Sequence, residues 1–209
     1  LNRLACLICG VPTSALSLID INRQWFKSRI NIDVPETPRE EAFCAHAILT
    51  PHQITYVPDT HEDPRFADHP SVLRDNGIRF YAGAPLRLND NIAIGTLCVV
   101  DSVPRQLTTD QLDALQLLSE QAVTLMQNRL IAMQSMEQEQ TLRTIIEHVP
   151  VLLGQLDRQF RYLFCNHKYG EWFGIDVDSA IGRSIAEVFG QEAFAELEPH
   201  LLKVLQGEE

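Results

Sequence analysis

The chain has 209 residues, 45% of them apolar and 22% charged, a balance typical of folded globular domains that argues against a disordered or fibrous segment. Seventeen Lys and Arg stand against 28 Asp and Glu, a formal net charge of -11 with no basic cluster, which argues against a nucleic-acid groove and against contact with an anionic membrane surface. Domains commonly run about 100–150 residues, so two are expected.

Five cysteines at positions 6, 9, 44, 98 and 165 sit in apolar runs without the spacing of a disulfide framework, which suits a reducing cytoplasm. No apolar run reaches the roughly 18–20 residues of a membrane span, and no charged-then-apolar leader opens the sequence. The first residue is Leu1 rather than methionine, so a piece of a longer polypeptide is expected.

In chain order, residues 14–21 (SALSLIDI) alternate near period two, and QWFKSRI from Gln24 continues after a turn at Asn22-Arg23, which predicts a hairpin. Pro35 and Pro38 mark a loop, and PREEAFCAHAIL predicts a short helix with acidic residues at its start. ITYVPDT is a brief strand closed by Pro58, and THEDPRFADHP is a polar loop with about one helical turn. Strands resume at Ile78. IRFYAGAPLRL and IAIGTLCVVD, joined by the polar turn NDN at 89–91, predict an antiparallel hairpin. Along its first strand Arg79, Tyr81, Gly83, Pro85 and Arg87 face one way, and Phe80, Ala82, Ala84, Leu86 and Leu88 the other. The second set is apolar, and the small Ala82 and Ala84 admit a closely packed helix.

From Thr108 to His148 no glycine or proline occurs, which predicts one long helix. Leu115, Leu118, Ala122, Leu125, Met133 and Met136 recur at steps of three, four or their multiples, the spacing of a helix seam, with Arg129 and Gln140 as polar interruptions. Pro150 ends the helix. VLLGQLD and FRYLFCN predict two further strands around Arg158-Gln159, followed by short helices bounded by Gly170, Gly174, Gly182 and Gly190.

Six segments in this order resemble a GAF domain: GVPTSALSLID (10–20), RQWFKSR (23–29), FCAHAIL (43–49), VPDTHEDPRF (57–66), IRFYAGAPL (78–86) and GTLCVVDSVPRQLT (95–108). They look like the subgroup found upstream of bacterial signalling outputs, especially histidine kinases and diguanylate cyclases. The remainder resembles the first half of a PAS domain, through IIEHVPVLLGQLDRQFRYLFCN, an Asn166 that begins a helix, EWFG (171–174) and IGRSIAEVFG (181–190). The fold class implied is α+β: a GAF-type antiparallel sheet flanked by helices over 1–128, a linker helix over 129–147, and the N-terminal part of a PAS-type domain over 148–209.

The resemblance implies a cavity whose candidate lining is Cys44, His46, Asp59, Arg65, Arg79, Tyr81 and Cys98. Cys44 and His46 suggest a nucleophile and its base, yet residues two apart on a helix do not face each other, so Cys44 reads first as a small buried hydrophobe. Cys98 reads the same way in its apolar strand. Arg65 or Arg79 is suited to an anionic ligand beneath a lid, with local pairing and turn-fixing by Asp63 as the competing reading. CLIC at 6–9 has redox-pair spacing, but one face of a packing helix accounts for it as well. Bilin-linking relatives follow their cysteine with histidine, whereas Ala45 and Val99 stand here, and no NKFDE-type cyclic-nucleotide motif occurs. Neither Cys165 nor His167 is set as flavin or haem attachment would require, and Trp172 and Phe173 read as core anchors.

No cofactor, metal or catalytic activity is therefore expected within these residues. The function expected is a cytoplasmic sensory and dimerising module, a homodimer through the 108–148 helix with room for a small-molecule ligand, controlling a diguanylate cyclase or histidine kinase output outside the chain. The alternative is a GAF-type thiol enzyme such as a free methionine sulfoxide reductase, and a third reading is a dimer scaffold that binds nothing.

Overall fold

A computed structural model of the chain describes residues 1–89 and 92–206. The chain divides between Ile131 and Ala132 into two units, each described by itself.

The first unit opens with α1 (Asn2–Cys9), ended by Gly10 in the left-handed region at φ 66°. The predicted hairpin follows as β1 (Thr13–Ile19) and β2 (Arg23–Ile30), antiparallel, with an irregularity between Leu16 and Ser17. Glu36–Pro38 forms an edge strand, β3, where the sequence indicated only a loop. A proline is tolerated there because an edge leaves its missing N–H unneeded. The helix expected across PREEAFCAHAIL is broken: a 3-10 turn covers Arg39–Glu41, Ala42 is extended, and α2 spans only Phe43–Ala47.

β4 (Thr55–Val57), α3 (Pro70–Leu73), β5 (Phe80–Asn89) and β6 (Ile92–Asp101) complete the sheet, in the order β3-β2-β1-β6-β5-β4 with every pairing antiparallel. β5 starts at Phe80, two residues later than expected. β5 and β6 pair as predicted, while Asp90 and Asn91 of the NDN turn lie outside the described residues. Gly95 is required by a close approach: a Cβ there would lie 1.9 Å from the Ser17 carbonyl oxygen on the neighbouring strand.

The alternation in β5 sorts the sheet into two cores. Phe80, Ala82, Ala84 and Leu86 pack with Leu97 and Val99 against Ala5 and Cys9 of α1 and Leu115, Ala122 and Val123 of the long helix. On the opposite face Tyr81 and Cys98 pack with Phe26, Phe43, Cys44, Val57, Phe66 and Val72. Cys9 of the CLIC stretch thus belongs to the first core, where burial pushes its thiol up to about 11 and makes it inert.

α4 runs without a break from Thr109 to His148. A reciprocal cap starts it: the Thr108 hydroxyl accepts from the Gln111 N–H at 3.2 Å and the Gln111 side chain accepts from the Thr108 N–H at 2.9 Å. The six-residue seam expected from the sequence is divided. Leu115 and Ala122 are buried in the first core, whereas Leu125, Met133 and Met136 are exposed. Every residue from Gln127 to Ile145 is exposed.

In the second unit, β7 (Gly154–Leu156) and β8 (Tyr162–Cys165) form a hairpin. Its turn is built by Asp157, whose carboxylate accepts from the N–H groups of Gln159 and Arg161. The short helices are α5 (Lys168–Phe173), α6 (Val177–Ala180), α7 (Ile185–Phe189) and α8 (Gln191–Leu205). Gly174, Gly182 and Gly190 follow helices with positive φ, but Gly170 lies inside α5 rather than at a boundary. Asn166 is fully buried and precedes α5. Its side chain accepts from the Leu153 N–H at 3.1 Å and donates to the carbonyls of Ile146 at 3.0 Å and Val151 at 2.9 Å. It thereby satisfies a carbonyl of the last turn of α4, which has no partner within the helix.

Candidate functional site

α2 packs on the face of the sheet formed by β1, β5 and β6. Phe43 stacks on Phe66 with ring centroids 4.3 Å apart and lies 5.3 Å from the Tyr81 ring, closing an apolar lid. Beneath it the polar atoms gather on one sulfur. Cys44 Sγ accepts from Gln24 Nε2 at 3.2 Å and from Tyr81 Oη at 3.4 Å, and Cys98 Sγ lies 3.8 Å away. Ser17 and Thr96, cross-strand partners on β1 and β6, hold their hydroxyls 3.3 Å apart in the same layer.

The local sequence accounts for this arrangement. Tyr81 and Gly83 share a face of β5, and a Cβ at Gly83 would lie 2.1 Å from Tyr81 Oη. The absent side chain is what allows the phenol to lie along the strand and reach Cys44. Cys44 and Cys98 are 2% and 3% exposed, so their polar neighbours act without competition from water.

Burial opposes charge on Cys44, but the hydrogen bonds from Cys98, Ser17, Thr96 and Tyr81 together outweigh it and hold the thiol below its ordinary value, at about 6. Cys98 is pushed well above the ordinary value by its hydrogen bond to Cys44 and by burial. Tyr81 is pushed up by burial and by the charge on Cys44. Of the two sulfurs, Cys44 Sγ is the one surrounded by donors and so the one on which negative charge is better accommodated.

Three of the seven candidate residues, Cys44, Tyr81 and Cys98, are thus brought together. Asp59 and Arg79 pair with each other through two hydrogen bonds of 3.0 and 2.6 Å, and Arg65 pairs with Asp63 at 2.9 and 2.6 Å while lying over the Phe66 ring. The planar forks of both arginines are therefore engaged by carboxylates. His46 is separate from Cys44, as the helix spacing predicts. Its ring stands edge-on to Phe66 at 5.1 Å and lines an open groove of about 720 Å³ with Asn22, Arg39 and Glu40.

Gln24, Ser17 and Thr96 were not among the candidates. The available signal was a polar residue at an inward strand position, legible only once the inward face of β1, β2 and β6 is known. Among the described residues, no group of three or more His, Cys, Asp or Glu is placed to hold a metal ion.

A six-stranded antiparallel sheet with helices on both faces, a lidded polar centre on one and a long helix leaving from the other, defines an α+β domain of the sensory class. Residues 3–125 match the GAF domain, and the chain belongs to that family. Residues 146–209 match the PAS fold. Cyclic di-GMP phosphodiesterase PA2567 of Pseudomonas aeruginosa is 46% identical over 94 residues, covering 45% of this chain and 16% of that protein. The chain therefore spans only a small part of that relative's length.

Among solved structures, the blue-light absorbing form of the Thermosynechococcus elongatus PixJ GAF domain superposes with a TM-score of 0.53 at 13% identity, covering 66% of this chain and 86% of that one. The GAF domain of an Acinetobacter phosphoenolpyruvate-protein phosphotransferase gives 0.50 at 15% identity, covering 61% and 78%. At such identities the likeness is one of fold. GAF and PAS domains in series make this chain a sensory and regulatory module of signal transduction. No helix among the described residues is long and apolar enough to cross a membrane.

Proposed function

We propose that this chain is the cytoplasmic sensory and dimerising segment of a bacterial protein whose output acts on cyclic di-GMP, with residues 129–147 as the helix that carries the signal. The supporting relative is the Pseudomonas phosphodiesterase, and the observation that carries the reading is the way α4 is held. At its start, Gln111 donates to the Ile8 carbonyl at 2.7 Å, and Leu115, Ala122 and Val123 are built into the GAF core. At its end, Asn166 takes the Ile146 carbonyl and the His167 N–H donates to Glu147 at 2.9 Å. Between these anchorages every residue from Gln127 to Ile145 is exposed.

Helices in proteins draw most of their stability from packing of an apolar face rather than from propensity. Because Leu115 and Ala122 face inward, a second copy is offered the outward stripe instead. Leu117, Ile131 and Ile145 recur there at fourteen-residue steps, two heptads each, joined by Leu142, and all four are exposed. Thr124 and Gln138 are the intervening polar positions, and they leave the pairing weak enough to change phase. A thiol enzyme on the same fold is the less supported alternative, since it would need neither the PAS unit nor the connecting helix.

The test is cyclic di-GMP turnover by the polypeptide that carries this chain, after insertions into the exposed part of α4. Seven inserted residues keep the phase and should leave turnover unchanged, whereas four shift it and should alter turnover by about fivefold or more. Equal turnover with both insertions would remove the helix from the mechanism.

A further inference from the structure

The centre beneath α2 contains more chemistry than a packed core requires. Two free thiols from distant parts of the sequence lie 3.8 Å apart, both almost fully buried. One sulfur accepts from an amide N–H and a phenol O–H, and hydroxyls stand beside it. An apolar core cysteine gains nothing from donors. A sulfur that must become an anion and attack does.

We propose that Cys44 and Cys98 are a redox-active pair, oxidised by a small hydroperoxide to a disulfide that ties α2 to β6. The proposal goes beyond the signalling reading and does not depend on the helix carrying a signal. In the first step the Cys44 sulfur attacks the peroxide: an S–O bond forms, the O–O bond breaks, and the departing hydroxide takes a proton and leaves as water. In the second step Cys98 Sγ attacks the sulfenic sulfur, the S–S bond forms, the S–O bond breaks, and the hydroxide lost takes the Cys98 proton. Two thiols lose two electrons and two protons in all, and hydrogen peroxide becomes two waters. The approach required, from 3.8 Å to about 2.0 Å, is within reach of a five-residue helix flanked by an extended residue.

The enclosure selects the oxidant. Phe43 and Phe66 cover the sulfurs, so a bulky disulfide such as glutathione disulfide is shut out while a two-oxygen molecule is admitted by slight opening of α2. Ser17 and Thr96 supply hydroxyls that can hydrogen-bond the peroxide oxygens. Cys6, only partly buried and with its thiol raised by desolvation, is the internal reference for an unactivated cysteine.

The reduced protein is titrated with hydrogen peroxide at neutral pH, its remaining thiols are alkylated, and the digest is mapped by mass spectrometry. The expected product is a peptide pair linked through Cys44 and Cys98, forming about tenfold faster than Cys6 is oxidised. Cys98→Ser should stop the reaction at a Cys44 sulfenic acid that a dimedone-type reagent traps, and Cys44→Ser should leave Cys98 alkylatable. The proposal is overturned if Cys44 and Cys98 remain alkylatable in the unaltered protein once Cys6 is oxidised, or if glutathione disulfide modifies Cys44 as fast as peroxide does.

Discussion

At the scale of single residues, position along the strand decides what each side chain can do. Tyr81 reaches Cys44 because Gly83 leaves room, and Arg79, just ahead of β5, pairs with Asp59. The hydrogen bonds from Arg79 hold the Asp59 carboxyl below its ordinary value. A carboxyl depressed in the folded state contributes stability that is present above its unfolded pKa, about 3.9, and lost as pH falls through the folded value. Thermal melts followed by circular dichroism between pH 3 and 7 should therefore show Asp59→Asn less stable than the native chain at neutral pH, with the two converging below about pH 4. A constant difference across that range would remove the ion pair as its cause. The pairing of Cys44 with Cys98 was not legible in the sequence, because fifty-four positions separate them and neither stands in a spaced motif. Each alone reads as a small apolar residue.

At the scale of elements, the buried faces were the most legible feature. Period-two alternation in IRFYAGAPLRL set Phe80, Ala82, Ala84 and Leu86 on one apolar face, and they are found together in one core, whereas the second core that holds Tyr81 on the opposite face was not legible. The break in PREEAFCAHAIL was not legible, since nothing in local propensity forbids a helix there. Ala42 is extended so that Phe43 and Cys44 can be laid on the sheet, a tertiary demand that overrides propensity. β3 was hidden by Pro38 at its end and Pro35 just before it, which read as loop signals although edge strands accept proline. In the second unit, Asn166 is the element-scale junction between the end of α4 and the hairpin. Asn166→Ala would strand the Leu153 N–H and two carbonyls, and should destabilise that unit by about 2–3 kcal/mol in urea unfolding. A loss indistinguishable from zero would mean that water replaces the amide there.

At the scale of the whole chain, the absence of glycine and proline from Thr108 to His148 made the long helix legible. Which stripe faces outward was not. Apolar residues lie on two sides of the helix, and only the burial of Leu115 and Ala122 assigns one side to the GAF core and leaves Leu117 and Ile131 on the other, while Leu142 and Ile145 are exposed further along the helix. The signalling account rests on that outward stripe meeting a second copy. The measurement that tests it most directly is sedimentation equilibrium of the purified chain beside its Ile131→Glu, Leu142→Glu variant. The account predicts a dimer for the native chain and a folded monomer for the variant, since charges placed in a helix seam are left without partners when buried. A native chain that stays monomeric at high concentration with α4 intact would contradict it.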